Sequence, residues 1–352
     1  MNSLKKLGFT IILASGLGLV SWQGQIQKAV AEVVTLPDGG KCEGQISSGN
    51  LSGQVVCTYG NGDRYEGNFV DGKKQGRGVY TFANGGRYEG EFQNNQISGQ
   101  GVRVYPNGDR YEGEFSNGQP NGQGVFITKN GDRYQGEFRN GDPSGKGTFI
   151  YANGDRCSGQ ISNAQINGQG ECNYSNGNRY QGEFRNGKPE GQGVYTFAKG
   201  GSYKGTFSDG QFHGTGVREY ANGNRYEGEF RNGQPEGKGK YTFADGSSYE
   251  GEMSQGEFAG TGIYREANGN RYEGEFSNGK FNGQGTYIFA NGDRCSGTFQ
   301  DGQLNGEAVC DYANGDTFRG EFRNGQKHGQ GTHIFADGTQ VEGSWENNEY
   351  QE

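Results

Sequence analysis

Six cysteines carry the plainest chemical signal in this chain. Cys42, Cys57, Cys157, Cys172, Cys295 and Cys310 form three pairs, each 15 residues apart. Zinc sites need ligands as close as Cys-x-x-Cys, so this spacing points to disulfides and an oxidising compartment. The other reactive groups are scattered. None of His213, His328 and His333 has a serine or cysteine partner reproduced by spacing, so a nucleophilic triad is not supported. Runs such as Arg225 to Arg231, with Glu227 and Glu229, resemble paired acid–base carboxylates. They recur in most of the chain, however, and read as a solvated charge ladder. The glycine-rich stretches lack the Gly-x4-Gly-Lys-Ser/Thr spacing of a phosphate loop. Asn-Gly-Asp turns ending in Asp63, Asp109, Asp132, Asp155, Asp293 and Asp316 offer one carboxylate each, too few for calcium. No catalytic residue, metal or cofactor is expected, and the chain reads as a non-enzyme.

The cysteines sit within a strict repeat. Units of 23 residues open at 42, 65, 88, 111, 134, 157, 180, 203, 226, 249, 272, 295 and 318 without an insertion, and a partial unit opens at Val341. Position 3 is Gly in all 14 units, and position 5 is always apolar. Positions 1–5, as in Tyr226 to Phe230, alternate apolar and polar with the period of a half-exposed strand. Positions 12–18 supply a second strand. All six prolines fall at position 10 (Pro120, Pro143, Pro189, Pro235) or 19 (Pro37, Pro106), which are expected loop positions. Asn-Gly or Asp-Gly fills positions 20–21 in 12 of 13 units. Keeping the apolar face inward from one repeat to the next favours a three-residue Ala-Asn-Gly loop with a left-handed Gly.

This pattern sets position 1 opposite 16, 3 opposite 14 and 5 opposite 12. Positions 1 and 16 are Cys in the same three units and mostly aromatic elsewhere, as cross-strand partners would be. Opposed Cα atoms in a non-hydrogen-bonded pair are about 4.5 Å apart, within disulfide reach. Hairpins stack at about 9–10 Å per repeat, so cysteines five or six repeats apart cannot meet. The expected bonds are Cys42–Cys57, Cys157–Cys172 and Cys295–Cys310. The expected fold class is all-β: an elongated, twisted single-layer antiparallel sheet of tandem 23-residue β-hairpins.

Residues 1–31 differ in character. Lys5 and Lys6 precede an apolar run, Leu7 to Val20, that is short for a membrane span. Ala29 and Ala31 then fit a signal-peptidase site, so a signal peptide cleaved after Ala31 is expected. Residues 32–41 match positions 14–23 and form a half repeat. Thirteen full repeats occupy 42–340, and a terminal half repeat, 341–352, supplies one lone strand from Val341 to Trp345. With 71 Gly in 352 residues and 29% hydrophobic residues, a conventional core of helices on a sheet is excluded. The 13% of aromatic residues argues against simple disorder. The net charge of −8 becomes −11 without the three lysines of the leader. That acidity disfavours nucleic acid and makes binding to an anionic membrane doubtful.

Tyr111 to Gly124 and Tyr272 to Gly285, both Tyr-Glu-Gly-Glu-Phe-x-Asn-Gly-x-x-x-Gly-x-Gly, resemble the MORN repeat (membrane occupation and recognition nexus). The resemblance spans essentially everything after residue 31. It implies an elongated hairpin array acting as a scaffold, dimerisation element or membrane tether. Such arrays precede catalytic domains in some lipid kinases and histone methyltransferases, but no catalytic domain is legible here. The expected function is that of a secreted scaffold in the periplasm, the bacterial envelope or outside the cell. Rings at positions 1, 5, 16 and 18 make a continuous inward stripe that packs as the thin core. Any uncovered part becomes an aromatic-lined groove for protein or a second copy, with Tyr65, Phe69, Tyr88, Phe92, Tyr111, Phe115, Tyr226, Phe230, Tyr272 and Phe276 as its candidates. Binding of envelope or extracellular polysaccharide is the alternative, and a lipid-surface tether is less favoured.

Overall fold

The computed structural model describes residues 32–47 and 50–351; the expected leader, with Ala29 and Ala31, lies outside the described residues. Among the described residues all regular structure is strand. Twenty-nine antiparallel strands form one sheet, each paired with its neighbours in sequence.

Two kinds of loop alternate and fix the strand ends. In the unit opening at Tyr111 the strands are Arg110–Ser116 and Gln119–Ile127. Between them Asn117 and Gly118 have φ of 52° and 81°, the two-residue turn whose twist matches that of the flanking strands. The strands therefore run from position 23 to 6 and from 9 to 17, longer than the alternation alone implies. The other loop matches its expected form. Phe82 N–H donates to Gly86 O and Gly85 N–H to Phe82 O, both at 2.9 Å, and Gly85 is left-handed at 91°. Ala83, Asn84 and Gly85 are thus the three loop residues.

Register agrees with expectation at the top of each hairpin and departs from it below. Tyr65 faces Tyr80 and Gly67 faces Gly78, but Phe69 then faces Lys74 at position 10, not Gly76. The second strand bulges around Gly76, whose φ is 72°; a residue with a Cβ would be strained there. Gly76 pairs instead with Phe92 of the next repeat. The expected 5–12 pairing thus exists between repeats, not within them.

Position 10 consequently lies inside a strand, so Pro120, Pro143, Pro189 and Pro235 are strand residues. The N–H at this position points to the turn of the following repeat. Where position 10 is Lys74 or Lys327, that N–H donates to the side-chain oxygen of Asn95 or Asn348 at 2.8 Å. Proline needs no such acceptor, and the turn position after Pro120, Pro143, Pro189 and Pro235 is Gly141, Ala164, Gly210 and Gly256, none with a side-chain acceptor.

The two ends differ. Glu32–Thr35 pairs with Lys41–Ser47 as a half repeat would. At the C-terminal end the expected lone strand, Val341 to Trp345, is one arm of a further hairpin. Gln340–Glu346 turns through Asn347 and Asn348 and pairs with Glu349–Gln351.

A single-layer sheet buries a core here by laying its tyrosines flat. The ring of Tyr88 lies over Gly90 and Gly101 and is fully buried. Phe92 and Phe115, from its own and the next repeat, close on it edge-first at 5.3 and 5.1 Å. Its hydroxyl donates to Glu91 O at 2.9 Å, the position-4 carbonyl beside the bulge. Each tyrosine thus fills the space its glycines leave and satisfies a polar group that the bulge displaces.

Candidate functional site

The three cysteine pairs replace that tyrosine and its cross-strand partner. Cys42–Cys57, Cys157–Cys172 and Cys295–Cys310 have Cα atoms 3.9, 4.0 and 4.0 Å apart, with sulfurs bonded. Each bond joins the two strands of one hairpin.

The ten rings named as groove candidates are core, the other reading of the aromatic stripe. Tyr65, Phe69, Tyr88, Phe92, Tyr111, Phe115, Tyr226, Phe230, Tyr272 and Phe276 are all 0–5% exposed. The accessible part of the aromatic face is shifted to positions 16 and 18, which are half-buried and form a ledge beside the core. A ring at 18 meets the ring at 16 of the next repeat, as in Tyr59–Tyr80 at 6.1 Å and Tyr220–Tyr241 at 5.9 Å. Within a repeat, Tyr80–Phe82 and Tyr241–Phe243 meet at 4.7 Å. Where position 16 is arginine the row continues through the guanidinium. Arg103 lies 5.2 and 5.0 Å from the Phe82 and Tyr105 centroids, and Arg218 lies 3.5 Å from that of Phe197. Arg218 Nη1 is buried without a hydrogen-bond partner, and the ring faces supply its stabilisation.

Where position 22 is Asp or Asn, it anchors the ledge across the seam. Asp63 accepts Ala83 N–H at 2.8 Å and the Tyr80 hydroxyl at 2.6 Å. The Tyr80 bond, with those from Ala83 and Asn61, holds the Asp63 carboxyl below the usual carboxylate range. Asn178, Asn224 and Asn270 make the same backbone bond through oxygen and donate their amide to Tyr195, Tyr241 and Tyr287. At the two places followed by an arginine, position 22 is Gly86 or Gly201. The Asn-Gly-Asp carboxylates are therefore committed to seams, and no group of three or more His, Cys, Asp or Glu among the described residues could hold a metal. His333 takes the tyrosine role at its seam, with Nε2 3.1 Å from Asp316 and Nδ1 3.4 Å from Lys327 Nζ.

On the polar face, Arg64–Glu66, Arg87–Glu89 and Arg110–Glu112 pair at 2.6–2.8 Å; such exposed pairs add little stability. Glu at position 4 does more than stay solvated: Glu114 accepts Gln123 N–H in the bulge at 3.0 Å. A polar hollow of 640 Å³ includes Gln123, Gln135, Lys146 and Gln169. The ledge has an apolar cleft of 250 Å³ among Phe243, Phe258, Tyr264, Phe276 and Phe281.

A family model described as "MORN repeat" matches thirteen consecutive 23-residue stretches, from 42–64 to 318–340 without a gap. The chain belongs to the MORN-repeat family. No curated protein matches it. Similar solved structures include the TCP domain of SAS-4 from Drosophila melanogaster, in complex with a proline-rich motif of Ana2. It is 14% identical, covers 50% of this chain and 90% of its own, and has a TM-score of 0.31. A TCP10-domain variant of Danio rerio CPAP is 10% identical over 89% of this chain and 99% of its own, with a TM-score of 0.13. Virginiamycin B lyase from Staphylococcus aureus is 12% identical over 79% of this chain and 89% of its own, at 0.14. Likenesses this weak say nothing about what this MORN array binds.

Sequence reasoning missed two site features and left a third unresolved. The ledge rings at positions 16 and 18 were part of the expected stripe, but which of its rings sink depends on the glycines beneath them. The link between position 22 and position 16 of the next unit was present as the coincidence of Gly86 with Arg103 and Gly201 with Arg218. The acceptor role of Asn95 and Asn348 had its signal in the lysines one repeat earlier.

Proposed function

We propose that this MORN array is a non-enzymatic secreted scaffold that binds protein, or a second copy of itself, along the ledge at positions 16 and 18. One observation carries the reading: a row of half-exposed rings continues from repeat to repeat with no second layer above it among the described residues. The three disulfides support an oxidising site of action, in the periplasm, the envelope or outside the cell. Polysaccharide binding is the second reading, favoured by the 40–42% exposure of Tyr151, Phe289 and Phe335, since open ring faces can stack on sugars. The acidic chain weighs against a lipid tether.

Light scattering of the full chain, with cross-linking against an envelope fraction, tests the scaffold reading. Cross-links or a dimer interface mapping to positions 16 and 18 are expected. A monomer that cross-links to nothing at the ledge and binds saturably on a glycan array would replace the scaffold reading with the second.

A further inference from the structure

We infer that the ledge seats a proline-rich segment in the polyproline II conformation, carrying basic residues, with its main docking point at the cleft around Tyr264. The inference rests on the protein-binding reading above and names the chemistry of the partner.

Pitch is the first argument. Two strands per hairpin advance the ledge by about 9.4–9.8 Å per repeat. A polyproline II helix advances about 9.3 Å per three-residue turn. A ligand with proline at every third residue therefore meets equivalent rings in successive repeats. Few other backbones stay in step: an extended strand presents a given face every two residues, about 6.6–6.8 Å.

The cleft supplies the local fit. Phe243 lies 6.1 Å from Tyr264, and Tyr264 lies 6.0 Å from Phe281, leaving an apolar notch between rings of adjacent repeats. Aromatic notches of this kind receive proline rings at little entropic cost, because the ligand is already extended. Such a ligand keeps its carbonyls free, so the site needs a donor. Tyr264 has one. The residue preceding it at position 22 is Ser247, whose hydroxyl donates to Asp245 instead, and the Tyr264 hydroxyl has no protein partner among the hydrogen bonds of the described residues.

Charge gives the third argument. Position 18 is aromatic in most units but is Glu266 here, two residues after Tyr264 on the same face. Burial opposes ionisation of Glu266. Hydrogen bonds from Tyr287, Asn268 and Asn270 outweigh that effect and hold its carboxyl below the usual value. A fixed carboxylate beside an apolar notch selects arginine or lysine next to proline. The rim cation Lys280 is paired with Asp301 at 3.0 Å, and the acidic chain favours a basic ligand overall.

Fluorescence anisotropy with the oxidised full chain tests this. The probes are a labelled peptide bearing arginine and proline at every third residue, an arginine-free version, and a glycine–serine version of equal length and charge. The arginine–proline peptide should bind about tenfold more tightly than the glycine–serine control. Tyr264→Phe should weaken both proline peptides. Glu266→Gln should weaken the arginine-bearing one alone. Each variant keeps the parent's shape, and an unchanged thermal melt verifies that it folds. Equal binding of the glycine–serine peptide, absence of binding, or indifference to both variants would overturn the inference. A displayed random library separates this failure from failure of the scaffold reading. Enrichment of ledge-competing sequences without spaced prolines overturns the polyproline partner alone, and no enrichment at all removes both.

Discussion

Tyr65 occupies the space that a side chain at Gly78 would need. A β-carbon on Gly78 would stand 2.6 Å from the tyrosine Oη and 2.7 Å from Cε2. Position 14 is released from glycine only where position 1 is cysteine: Val55 and Ala308 occupy it in the units that open at Cys42 and Cys295, and both are buried. The glycine is thus a socket for a ring, not a hinge.

Gly78→Ala should therefore cost about 1–3 kcal/mol by overpacking. Gly170→Ala, in a cysteine-bearing unit, should cost less, since no tyrosine lies across it. Urea midpoints of the two variants decide the matter; equal losses would show that the ring is not what excludes the side chain.

Reduction should loosen three hairpins. Intact mass should rise by about six hydrogens, one pair for each bond. Replacing Cys157 and Cys172 together by alanine should cost about 3 kcal/mol for a loop of this size. Hydrogen exchange should locate the lost protection in Arg156–Asn173 and its neighbours, because each bond is confined to one hairpin.

Acid should unstitch the seams. The carboxyls of Asp63, Asp155 and Asp316 are lowered, chiefly by bonds from Tyr80, from the Ser175 backbone and from His333 respectively. Because each folded-state pKa lies below the unfolded one, the stabilisation is complete above the unfolded carboxylate range, about pH 4. It is lost as pH falls through the folded values. Melting temperature should drop on acidification from pH about 5 to about 2. Asp63→Asn, which copies the Asn178–Tyr195 seam, should flatten part of that drop.

Two turns are poorly filled by nature. Gln255 holds φ of 51° where most units have Asn or Asp, and Ala164 holds 56° where most have Gly. Gln255→Asn and Ala164→Gly should each stabilise the chain by up to about 1 kcal/mol. Thermal or urea unfolding checks this, and a loss from either would mean the parent side chain packs in a way that outweighs its backbone strain.

The hairpin repeat, the three-residue loop and the cysteine partners were legible because each follows from local pattern: alternation, an Asn-Gly signal, paired substitution at positions 1 and 16. What escaped depends on where register slips. The left-handed Gly76 moves Phe69 opposite Lys74 and hands Gly76 to Phe92. Nothing in a single unit says whether a recurring glycine marks a socket, as Gly78 does, or a bulge, as Gly76 does. The burial of Tyr65 and its nine companions follows from that distinction. So does the displacement of the accessible surface to the ledge.

The interlocked loops have a mechanical consequence. At one edge the Asp or Asn at position 22 holds the next repeat's backbone wherever it occurs, as Asp63 holds Ala83, and at the other Gly118 N–H donates back to Ile97 O across the seam. A pull along the long axis enters at a strand end and opens a seam from one edge toward the other, so the loop bonds at the two edges are the first and last latches it must release. Such a ribbon would resist tension up to a common threshold and then lengthen in 23-residue quanta, with the cysteine-closed hairpins yielding less chain than the others.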